Sequence, residues 1–226
     1  MNIQEMHNIF RTLGQQMGLQ RIRAILPESI DVYINDAIIE KVRSVVIANT
    51  GSDFKDKVTT QRNLISPDNA LRTLFKSADV DITEEQKVDD YYVIIPNIND
   101  VMLFTSFAVR YDSVEKMYKC RFIDPDKLED ILSDYCNGAS YDYPIVSLFA
   151  NENNAEYVKL FINSKSKIPI SLQVRYIETP AVVKWSNNLE ECVNCNLPEY
   201  LHTEVVELAV NKFFQSVGST AQPVSQ

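Results

Sequence analysis

Apolar positions recur at helical spacing along the first part of the chain and gather into short β-like blocks along the middle. Ile3, Met6, Phe10, Leu13 and Met17 form a narrow stripe that predicts an amphipathic helix. After the break at Pro27, the stretch Glu28 to Val46 carries Ile30, Ile34, Ala37, Ile38, Val42 and Val45 on one side and predicts a longer second helix. The polar stretch Asn49 to Asn63, which contains Gly51, reads as a long loop or arm. Ser66-Pro67-Asp68 reads as a helix start, with Ser66 as N-cap and Pro67 at the first helical position, leading into Leu71, Leu74 and Phe75.

From residue 91 the texture changes to Tyr, Val, Ile and Phe. Tyr91–Ile95, Val101–Tyr111 and Tyr118–Ile123 are expected strands, the last two joined by the polar turn Asp112–Lys116. Asp124-Pro125 opens a short acidic helix to about Tyr135. Strands are expected again at Ile145–Ala150, Glu156–Ile162 and Ile170–Ile177, the first two joined by an asparagine-rich turn at 151–154. A final helix runs from about Glu199 to Val217 and ends at Gly218.

Strands grouped between helices, rather than alternating with them, predict an α+β fold. The expected core is helical, built from the N-terminal helices and the C-terminal helix, with a mostly antiparallel β region inserted. The expected divisions are a helical part at 1–78 with its loop at 49–63, a β-rich acidic insertion at 79–195, a C-terminal helix at 196–218 packing with the helical part, and a flexible tail at 219–226. An insertion is favoured because the terminal helices otherwise lack a common core.

Two helices carry more apolar surface than one contact needs. In the last helix, Leu201, Val205, Val206, Leu208, Ala209, Val210, Phe213, Phe214 and Val217 spread over an arc of roughly 240°, where about 100° suffices. In the second helix Val32, Ile39 and Val46 lie on the far side of the main stripe, interrupted only by Asp31 and Asn35. Either both helices are central in the chain's own core, or part of each arc is covered by neighbouring subunits. The interface candidates are Val32, Ile39, Val46, Val206, Val210 and Phe214.

Composition narrows the chemistry. Only five glycines occur, no two spaced G-x-G, so a phosphate-cradling loop and a dinucleotide fingerprint are both missing. The net charge of −9 opposes a dedicated nucleic-acid binder, which needs clustered Lys and Arg. Residues 1–78 hold 10 basic and 8 acidic side chains, while 79–226 hold 12 and 23. The acids Glu84, Glu85, Asp89 and Asp90 lack the glycine-centred spacing of a calcium loop and read as a solvated run, or as channel-facing acids if the protein encloses one. Arg21, Arg23, Lys41 and Arg43 are too few and too mixed with acids for a DNA stripe, but suit ion pairs with an acidic partner.

Cys192-x-x-Cys195 is half of a zinc site; Cys120 and Cys136 supply no second pair. The motif also lacks the strand-to-helix setting of a redox pair. The histidines are His7 and His202, and neither has a nucleophile or orienting partner that the sequence names. No catalytic residue, metal or cofactor is expected. No basic leader followed by an apolar block opens the chain, no apolar run approaches a membrane span, and the expectation is a soluble chain with reduced thiols.

Two stretches carry a resemblance. FRTLGQQMGLQRIRAILPESIDVYINDAIIEKVRSVV (Phe10–Val46) and NLPEYLHTEVVELAVNKFFQSVG (Asn196–Gly218) resemble head-to-tail connector subunits, the ring or adaptor virion proteins of crAss-like and related short-tailed phages. The resemblance implies a non-enzymatic, dodecameric ring around the genome channel. Its implied partners are further copies of itself, the portal protein and neighbouring tail or ring proteins, with genome DNA passing through unread and no membrane involved. It implies a place in the virion after synthesis in the host cytoplasm, and it carries no catalytic residues. The residues alone leave two other readings open: a small α+β enzyme with a carboxylate or cysteine site using His202 or Cys195, and a monomeric interaction module.

Overall fold

The computed structural model describes residues 1–18, 25–50, 71–112, 114–150, 156–164 and 167–219. Most of the expected arm at 49–63, the start at Ser66-Pro67, Arg21, Arg23, the turn at 151–154 and most of the tail lie outside the described residues. The described residues form an α+β fold with four α-helices and two sheets.

The chain divides into two compact units: Met1–Leu74 with Thr179–Gln226, and Phe75–Glu178. The boundaries thus fall at 74/75 and 178/179 rather than 78/79 and 195/196. The cause is a strand the apolar pattern concealed. Phe75–Asp81 (β1) pairs antiparallel with Pro169–Glu178 (β9) over its full length, from Phe75 opposite Ile177 to Asp81 opposite Ser171. Ala78, Val80 and Ile82 turn towards the core while Ser77, Asp79 and Asp81 are exposed. Leu71 and Leu74 are buried in the described end of this stretch, just before β1. These boundaries also redistribute charge: the two-ended helical unit holds 11 basic and 13 acidic residues, and the β unit 11 and 18. Both are acidic, because the acids near the C-terminus belong with the first helices.

In the helical unit, α1 (Ile3–Gln16) starts on a capping box: Asn2 Oδ1 accepts the Glu5 N–H at 2.8 Å, and Glu5 Oε2 accepts the Asn2 N–H at 3.0 Å. Helix α2 runs Pro27–Thr50, with proline tolerated in the first turn. Its buried side is Ile30, Ile34, Ala37, Ile38 and Val42, the stripe read from the sequence.

The β unit packs two sheets over a shared core. One has the order β1, β9, β4 (Val101–Tyr111), β5 (Val114–Lys119). The other runs β2 (Lys87–Val88), β3 (Tyr91–Ile94), β8 (Glu156–Phe161), β7 (Ile145–Ala150), β6 (Arg121–Phe122), all antiparallel except β6 with β7. Phe107, Val109, Leu172 and Val174 from the first sheet meet Ile94, Val146, Val158 and Leu160 from the second, as period-two alternation requires. The outer face of the second sheet is covered at one end by α3 (Pro125–Ser133), through Leu128 with Ile123, Ala139, Ile145 and Phe161. Asp124 makes no side-chain capping bond to α3; Pro125 at its first position sets the start.

Candidate interaction site

The last helix, α4 (Glu199–Ser219), runs antiparallel to α2. Tyr33 and Ser216 hydroxyls meet at 3.0 Å, Lys212 Nζ lies 2.7 Å from Glu40 and 3.3 Å from Asp36, and Lys41 Nζ lies 2.6 Å from Glu204. Lys41 is therefore paired inside the unit rather than turned to a partner. On its other flank α4 meets α1, where Phe10 and Phe213 rings stand 6.0 Å apart, and Tyr33 of α2 meets Phe213 edge-on at 5.4 Å.

This sandwiching decides the interface candidates. Val206 and Val210 are 0% and 1% exposed and belong to the unit's own core, which corrects their expected place at a subunit contact. The wide apolar arc of α4 is explained by two helical neighbours within one chain. Val46 is half-buried. Val32, Ile39 and Phe214 remain outside, at 65%, 38% and 43% exposure. Val32 and Ile39 are seven residues apart, so they sit within about 20° of one another around α2 and about 10 Å apart along it. They form a row opposite the buried stripe, and Leu26, 63% exposed, precedes it.

The polar residues that interrupt this side of α2 hold the return segment after β9. Asn35 binds Val183 twice, accepting its N–H at 2.8 Å and donating to its carbonyl at 3.0 Å. Asp31 is 7% exposed and accepts from His7 Nε2 at 2.7 Å and from the Trp185 N–H at 2.9 Å. The His7 imidazole stacks on Trp185 with ring centroids 6.1 Å apart. Burial pushes His7 below the usual imidazole value, outweighing the opposing pull of the Asp31 carboxylate. These contacts tie α1, α2 and the return segment together, and the pair faces protein rather than a cleft.

The other candidate groups do not converge on one another. His202 Nε2 donates to the Leu197 carbonyl at 2.8 Å, and its buried Nδ1 has no hydrogen-bond partner. Cys192 Sγ donates to the Ser186 carbonyl at 3.3 Å and closes a loop. Cys195 is buried and its thiol is pushed up, the opposite of what a thiolate nucleophile needs. Among the described residues, no group of three His, Cys, Asp or Glu side chains could hold a metal ion. Glu84 and Glu85 form an exposed short 3-10 turn, and Asp89 and Asp90 an exposed hairpin turn. Among the described residues no helix is long and apolar enough to cross a membrane.

The Val32–Ile39 row is thus an exposed apolar feature of the helical unit, beside an anchor whose polar groups are satisfied within the chain. No family model matches the chain, and comparison with curated proteins finds no significant relative.

Proposed function

We propose that this chain is a non-enzymatic structural subunit of a phage virion, assembling as a closed homo-oligomeric ring in the portal–tail connector around the genome channel. The observation that carries the reading is the exposed row Val32 and Ile39, which lies on α2 opposite the core formed by the described residues of the helical unit. A rigid, heptad-spaced apolar row on one face suits a head-to-tail contact, in which each copy offers one surface and receives another until the ring closes. The two stretches resembling connector subunits coincide with α1, α2 and α4, the helices that build this unit.

Charge supports the same reading. The β unit carries a net −7, and an acidic wall keeps a moving polyanion from adhering. Native mass measurement of the full chain mixed with its portal protein tests the proposal. One discrete closed oligomer is expected, and a persistent 25.9 kDa monomer beside intact portal rings contradicts it.

A further inference from the structure

The β unit contains a slot that the ring reading leaves unused. Register alone places its floor. Tyr91 pairs with Phe161, Phe161 with Ile145, and Ile145 with Arg121, so one cross-strand row crosses β3, β8, β7 and β6. Residues directly opposite in such a row share a face. Tyr91, Phe161 and Arg121 of this row line a cavity of about 1110 Å³ walled by the chain that follows α3, while Ile145 between them is buried with Leu128 of α3.

The slot is built rather than incidental. Arg121 Nη2 donates to the carbonyls of Asn137 at 2.6 Å and Gly138 at 3.1 Å, pinning the wall to the floor. Asp134 accepts from the Cys136 N–H at 2.8 Å and from Asn137 Nδ2 at 2.6 Å; led by the Asn137 side chain, these bonds hold its carboxyl below the usual range. Around this frame stand aromatic rings with nothing to cover them: Tyr135 is fully exposed and Tyr143 is 66% exposed, both lining the cavity. The hairpin turn Asp89–Asp90 closes one end of the slot. Its two carboxylates make no hydrogen bond or ion pair with any described residue.

The chemistry of this lining selects a cation. Asp89, Asp90 and Asp134 line the cavity with Arg121, the one cation among its described lining residues, whose Nη2 is already given to carbonyls. Tyrosine faces attract ammonium and guanidinium groups. The same sheet already uses this contact: Lys159 Nζ lies 5.0 Å from the Tyr91 ring centroid and 4.4 Å from that of Phe149. We infer that the slot binds a segment of a partner protein, seating an arginine or lysine side chain against Asp89 and Asp90 with tyrosine rings around it. The inference does not depend on the ring proposal.

Fluorescence anisotropy with the full chain and a labelled Gly-Arg-Gly-Arg peptide tests it, with the isosteric citrulline peptide, a tetraglutamate and chitotriose as competitors. Binding of the arginine peptide at least about tenfold tighter than the citrulline peptide is expected, weakening as ionic strength rises from about 0.05 to about 0.5 M. The double variant Asp89→Asn, Asp90→Asn should lose about tenfold in affinity while unfolding at the wild-type temperature. Asn adopts the left-handed conformation of Asp89 (φ 49°) as readily as Asp. Tyr135→Ala should weaken binding without affecting the fold. Equal affinity for the arginine and citrulline peptides, no binding of either, or effective competition by chitotriose overturns the inference. Self-association of the wild-type chain that vanishes in the double variant also overturns it, by giving the slot to a second copy.

Discussion

Asp31 and Asn35 interrupt an otherwise apolar side of α2, and from the sequence they look like concessions to solvent. In the fold they are the groups that bind the returning chain, through Trp185 and Val183. Replacing Asp31 by Ala leaves the buried His7 and the half-buried Trp185 N–H without their acceptor, so urea denaturation should show a loss of about 2–4 kcal/mol. His7 adds a pH dependence whose sign follows from burial. Its folded pKa lies below the unfolded value near 6.5, so the unfolded chain binds the extra proton. The stabilising contribution is complete above about pH 6.5 and is lost as pH falls towards the depressed folded value. Urea melts of His7→Gln should therefore show a shallower loss of stability below pH 6.5 than the wild type. The sequence offered His7 and Asp31 separately; only packing of α1 on α2 makes them partners.

At the scale of elements, the helices divide into faces that the sequence marked and covers that it did not. The stripes of α1 and α2 were legible because 3.6-residue periodicity survives in the sequence. Which apolar residues of α4 face a second subunit was not, since an arc covered by two helices of the same chain looks identical to one shared with a neighbour. Substitutions should separate the two cases. Val206→Asp places a charge among buried side chains and should cost about 3 kcal/mol or more in thermal or urea unfolding. Val32→Glu with Ile39→Glu should change stability by no more than about 0.5 kcal/mol yet abolish the ring in native mass measurement. Strand β1 was hidden for a different reason: its outward positions Ser77, Asp79 and Asp81 are polar and lead into an acidic stretch, although Ala78, Val80 and Ile82 alternate inward. Val101–Tyr111 and Ile145–Ala150 were readable to the residue, because both carry long β-prone blocks bounded by polar turns. The slot was invisible, because its lining depends on register between strands and on the path of the chain after α3, which periodicity does not specify.

At the scale of the whole molecule, the β unit enters and leaves through paired strands. Phe75 and Ile177 are Cα partners, so the two ends of the unit lie about 5 Å apart. A fragment spanning 75–178 should therefore fold alone, with a cooperative thermal transition and a dispersed amide spectrum; a non-cooperative melt would contradict this. The helical unit owes its core to both ends of the chain. The central proposal is that the Val32–Ile39 row is a subunit contact in a ring beneath a phage portal. Electron cryomicroscopy of the assembled phage particle tests it most directly. The account predicts a closed ring of identical copies around the channel, with Val32 and Ile39 buried against the neighbouring copy. Density showing the chain absent from the particle, or present with Val32 and Ile39 facing solvent, would contradict it.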